Sequence, residues 1–99
     1  MAETYSSGTW IVKAGEEDAF VEAWRGFVTW ASEFPGSGTF RLARDLNNAN
    51  HFLSFGSWES VAAERAWMEA PEFGEHLATV RAHCDDFSGS GYELVTTVG

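Results

Sequence analysis

Seven apolar residues, Phe20, Ala23, Trp24, Phe27, Trp30, Ala31 and Phe34, recur at offsets 0, 3, 4, 7, 10, 11 and 14. That is the period of an α-helix, and it lays five aromatic rings along one face. A helix so one-sided has to cover a sheet or another helix. Glu16, Glu17 and Asp18 open the segment, where the helix dipole favours negative charge. Pro35-Gly36 is the expected stop. The chain has 99 residues, enough for one domain. Its 8 Phe, 5 Trp and 2 Tyr exclude disorder and leave more apolar surface than one small core needs.

The flanking segments alternate with the period of strands. Residues 5–14 read as a first strand ending at Gly15. Residues 38–45 read as a second, with Phe40 and Leu42 on one face and Arg41 and Ala43 on the other. A polar turn over residues 46–50 leads to a third strand, residues 51–58. Phe52, Ser54, Gly56 and Trp58 share one of its faces; His51, Leu53, Phe55 and Ser57 share the other. Both faces carry large apolar groups, so both are expected to be covered.

A short helix over about residues 60–69 follows. Pro71 is placed to start another, where its missing N–H costs nothing. Phe73, His76, Leu77, Val80, His83 and Cys84 fall at offsets 0, 3, 4, 7, 10 and 11 of that helix. Residues 88–91 (Ser-Gly-Ser-Gly) read as a turn, and residues 92–98 as the last strand, with β-branched Thr96, Thr97 and Val98.

The order β-α-β-β-α-β, with the second helical region in two pieces, is the ferredoxin-like α+β arrangement. It predicts one four-stranded antiparallel sheet with helices on one face, forming a single domain over residues 1–99 with a loose terminus at 1–4. The bulky residues on the uncovered face predict a homodimer packed sheet to sheet, a dimeric α/β barrel.

Charge and composition exclude several functions. The net charge is −9, from 15 acidic and 6 basic residues, and Lys13 is the one lysine. Nucleic acid and anionic membrane are therefore not expected partners. No stretch approaches the roughly 18 apolar residues of a membrane span. No apolar leader follows Met1, and a lone cysteine, Cys84, suits a reducing compartment, so the expected location is the cytoplasm. One Cys and three His without a paired spacing do not make a zinc site. His76 and His83, about 10.5 Å apart along a helix, cannot share a metal. No GxSxG, GxGxxG or phosphate-loop pattern occurs, so no metal or organic cofactor is expected. His83 and Cys84 read as structural, and His51 as a surface or interface residue.

Several blocks together resemble one known family. A strand ending Val12-Lys13-Ala14-Gly15 is followed by Glu17-Asp18-Ala19-Phe20 opening a helix. Phe34-Pro35-Gly36 precedes the second strand, and Phe52-Leu53-Ser54-Phe55-Gly56-Ser57-Trp58-Glu59-Ser60 closes the third. Ala66-Trp67 and Pro71-Glu72-Phe73 complete the set. The chain resembles the antibiotic biosynthesis monooxygenase domains, dimeric α/β barrels of this length.

The resemblance implies an aromatic pocket between sheet and helices, and a cofactor-independent monooxygenase acting with O₂ on a small phenolic, quinol or anthrone-like compound. Trp67 matches a pocket tryptophan of the family's haem-degrading branch. The substrate-binding candidates are Trp67, Trp24, Phe27, Phe52, Phe73 and Arg41. His76 is the candidate general base, having a side chain that titrates near neutrality. The alternative is a non-catalytic dimeric protein that binds an aromatic ligand. Haem binding or degradation is disfavoured. Gly8 stands where that branch has an asparagine, and His76 follows Phe73 by three residues rather than four.

Overall fold

A computed structural model describes residues 3–99. The elements run β1 (Thr4–Val12), α1 (Glu17–Ala31), β2 (Ser37–Arg44), β3 (His51–Trp58), α2 (Val61–Met68), α3 (Phe73–Arg81) and β4 (Cys84–Glu93). The four strands form one antiparallel sheet in the order β2-β3-β1-β4. This is the ferredoxin-like arrangement expected from the sequence pattern.

The α1 stripe forms as its spacing requires, with Phe20, Trp24, Phe27 and Ala31 buried. The helix ends at Ala31, four residues ahead of Pro35, and tightening turns carry the chain to Gly36 at φ 85°. Ser60 caps α2 by accepting the N–H of Ala63 at 3.1 Å. Pro71 precedes the first turn of α3 by two residues instead of opening it.

Two boundaries differ substantially from the sequence reading. The last strand is Cys84–Glu93, and residues 94–99 form no strand. The Ser-Gly-Ser-Gly segment at 88–91 is therefore strand, not turn. Pairing with β1 makes it so: Trp10 faces Phe87, Gly8 faces Gly89 and Ser6 faces Gly91. Pairing partners outweigh weak intrinsic preference here. Correspondingly α3 stops at Arg81, because Cys84 is already paired with Val12. Of the expected loose terminus, Met1 and Ala2 lie outside the described residues, while Thr4 opens β1 and is buried.

All three helices cover one face of the sheet. That face presents Ser6, Gly8, Trp10 and Val12 from β1, and Phe52, Ser54, Gly56 and Trp58 from β3. The other face is open and carries Leu53, Phe55 and Tyr92 exposed. No helix among the described residues is long and apolar enough to cross a membrane.

Candidate active site

A cavity of about 420 Å³ lies between the sheet and the helices. Its floor is set by the strand alternation. Ser6 and Gly8 of β1, Ser54 and Gly56 of β3, and Gly89 and Gly91 of β4 occupy neighbouring positions on the helix-covered face. Six adjacent positions that elsewhere in a sheet would carry core side chains carry almost nothing. The glycines cannot be replaced freely. A Cβ at Gly8 would stand 2.9 Å from Trp10 Nε1, and one at Gly56 would run into the Phe40 ring.

The roof is aromatic. Trp24 and Phe27 come down from α1, Trp67 and Met68 from α2, and Phe73 and Leu77 from α3. The rings brace one another. Trp67 stacks on Trp58 (centroids 5.1 Å, 26°) and meets Phe73 edge-on at 5.0 Å, with Phe27 at 5.5 Å. Such offset and edge contacts add to the burial energy and hold each ring in place. Trp10 with Phe87 closes one end, and Phe40 lies at the other.

Hydrogen bonding separates the tryptophans. Trp10 Nε1 donates to Ser54 Oγ at 2.9 Å, and Trp58 Nε1 donates to Ser6 Oγ at 3.2 Å. Trp67 Nε1 is buried with no partner, and so is Glu64 Oε2. Glu64 and Trp67 both line the cavity, each 6% exposed. Burial pushes the Glu64 carboxyl above the usual carboxylate range, and the adjacent Arg65 charge opposes this only in part. Their spacing, i and i+3, sets both on one side of α2. Native proteins rarely leave buried polar atoms unpaired, and two of them on residues that line one cavity mark the polar part of its wall.

The sequence-derived candidates divide. Trp24, Phe27, Trp67 and Phe73 line the cavity. Phe52 does not: it is packed into the solid core beside Phe20 at 4.9 Å, with Arg44 over its other side. Arg41 sits on the open face opposite Phe55, across the sheet from the cavity. His76 also falls outside the lining, with its ring stacked on Trp30 (4.2 Å, 14°) at the α1–α3 contact. His83 Nδ1 lies 2.9 Å from Glu16 Oε1, tying the end of α3 to the start of α1. Burial raises the Cys84 thiol, whose Sγ faces the Val80 carbonyl at 3.7 Å. Among the described residues, no group of three or more His, Cys, Asp or Glu side chains could hold a metal ion.

Glu64 was not among the candidates, although a signal was available. It stands three residues before Trp67 on the apolar side of a short helix, where a carboxylate has to be buried or turned away.

These features define a ferredoxin-like α+β domain with an aromatic cavity between its sheet and helices. The antibiotic biosynthesis monooxygenase profile matches residues 7–79, and the chain belongs to that family. No curated protein matches the sequence. Solved structures share the fold at low identity. SnoaB, a cofactor-independent oxygenase from Streptomyces nogalater, superposes with TM-score 0.87 at 18% identity, over 99% of this chain and 98% of that one. A conserved protein from Methanosarcina mazei Go1 gives TM-score 0.81 at 13% identity, over 93% and 92%. A proposed antibiotic biosynthesis monooxygenase from Nitrosomonas europaea gives TM-score 0.80 at 18% identity, over 98% and 94%.

Proposed function

We propose that this protein is a cofactor-independent monooxygenase that oxidises a small, uncharged hydroxy-aromatic compound, phenolic or quinol-like, with O₂. The observation that carries the reading is the aromatic cavity itself, with a Gly/Ser floor, a braced ring roof and two buried, unpartnered polar atoms on its lining residues. A flat ring fits between such surfaces. No lysine or arginine lines the cavity, which disfavours an anionic ligand. An electron-rich phenolate can itself reduce O₂, so the protein needs to bind it, deprotonate it and keep water out. Membership of a monooxygenase family and the SnoaB-like fold support the same reading.

The working unit in this reading is a homodimer, joined through the open sheet face that exposes Leu53, Phe55 and Tyr92.

The test is O₂ uptake by the purified protein with a panel of hydroquinones and anthrones, with no flavin or metal added. Consumption above the buffer rate is expected. Uptake equal to buffer across the panel, with ligand-dependent thermal stabilisation retained, would favour binding without turnover. The sparse polar lining is the observation on the side of that second reading.

A further inference from the structure

Glu64 belongs to two hollows at once. Together with Met68 and Gly91 it lines the aromatic cavity, and the same three residues line a second, outer groove between α2 and the end of β4. That groove is bordered by Thr4, Val61, Arg65, Glu69, Tyr92 and Glu93. Its charged members contrast with the cavity, where Glu64 is the one ionisable carboxylate. The partition is thin because β4 has no side chain at Gly91: a Cβ there would stand 3.0 Å from Glu64 Oε2.

We propose that Glu64 is the catalytic base of this cavity and the route by which a bound ligand's proton leaves it. The proposal rests on the hydroxy-aromatic reading above for the class of ligand. The carboxylate takes the proton of the ligand's O–H. The ligand's O–H bond breaks, its electron pair stays on the ligand oxygen, and a carboxyl O–H forms on Glu64. The carboxyl then returns the proton to water in the outer groove, and Glu64 is ionised again. No oxidant takes part in this step.

Three features suit it. One oxygen of Glu64 is buried against Gly91, in the partition between the two hollows, and among the described residues no protein donor competes with a ligand for it. Desolvation raises the carboxyl's proton affinity toward that of a phenol, about 10 in water, and narrows an otherwise steep uphill transfer. The indole N–H of Trp67, one turn along α2 from Glu64, has no partner among the described residues and is the nearest candidate on that helix to donate to the oxyanion that forms. The charged groups bordering the groove beside Glu64 are Arg65 and Glu69 on α2 and Glu93 on β4, while the Tyr92 side chain is on the open face of the sheet. Thr4 is the nearest contribution of β1 there and carries no charge.

The probe is 4-nitrophenol, whose phenolate is coloured and whose binding can be followed by quenching of the cavity tryptophans. It is added to the full chain below the probe's own pKa. The wild type is expected to quench and to develop phenolate absorbance beyond that of free probe. Glu64→Gln is expected to keep the quenching and lose the added absorbance. Gly91→Ala, which keeps the carboxylate and crowds it, is expected to lower the phenolate absorbance at equal quenching, and it reads the same point should the Gln variant fold poorly. Equal colour in wild type and Glu64→Gln at equal quenching overturns the role of Glu64 and leaves the hydroxy-aromatic reading standing. Absence of quenching in the wild type overturns both.

Discussion

The helix-covered face of the sheet has a solid half and a hollow half. In the solid half Trp10, Val12, Phe20, Phe52 and Val80 are each 4% exposed or less. Phe20 sits 5.4 Å from the Trp10 ring and 4.9 Å from Phe52. Two residues along the same strands, the floor changes to Gly8 and Ser54, then to Ser6 and Gly56, with Gly89 and Gly91 alongside. The roof does not sink to fill the gap, because its rings lean on one another and Trp67 rests on Trp58 at the end of β3. The helices and the face are shared; what differs is the size of the floor residues. Packing at crystal-like density stabilises one half, and its absence at the other makes room for a ligand.

The largest expected effect tests whether the halves differ energetically. Phe20→Ala should cost about 3–5 kcal/mol, because a fully buried ring leaves a void that dense neighbours cannot fill. Phe73→Ala, at the edge of a space that is already open, should cost under about 2 kcal/mol. Urea denaturation of the two variants checks this, and equal losses would abolish the distinction. Next in size comes the glycine floor. Gly56→Ala forces the Phe40 ring aside and should cost about 1–3 kcal/mol while weakening quenching by an aromatic probe. Gly26→Ala is the control. It lies exposed within α1 with open space where the methyl would go, so it should stabilise by roughly 0.5–1 kcal/mol and leave binding alone.

The solid half was easier to read from the sequence than the hollow one. Apolar side chains at helical and strand spacing announce themselves, so α1 and the third strand, residues 51–58, were legible, as were Trp24, Phe27, Trp67 and Phe73. A cavity is written in the residues that lack side chains. Gly89 and Gly91 read as a turn and residues 92–98, with β-branched Thr96, Thr97 and Val98, as the last strand, whereas the strand is Cys84–Glu93. Only the pairing of β4 with β1 shows that these glycines fall beside Gly8 and Ser6 on one face. Among the polar candidates, His76 has the side-chain chemistry of a base, while α3 sets it against Trp30. Glu64 looks like any other acid in a chain with 15 of them, and its burial depends on the sheet beneath α2, including Gly91 of β4 beside its carboxylate.

The smallest expected effect concerns what the hollow half costs the fold. Burial raises the Glu64 carboxyl above the ordinary carboxylate range, so the folded state holds this proton more tightly than the unfolded chain does. Its contribution to stability is full below the unfolded pKa and is lost as pH rises through the folded pKa. Asp45 runs the other way. The Asn47 and Asn48 N–H groups hold its carboxyl low, giving stability that is present above the ordinary range and lost on acidification. Asp45 is the same in wild type and Glu64→Gln, so the difference between their unfolding free energies cancels it and isolates Glu64. Chemical denaturation from pH 4 upward should show that difference moving in favour of the variant as pH rises, then levelling once Glu64 is ionised in both states. A difference that stays flat with pH would mean that the carboxylate finds solvent or a donor in the folded protein. The hollow half would then carry no electrostatic cost, and the contrast between the two halves would reduce to packing alone.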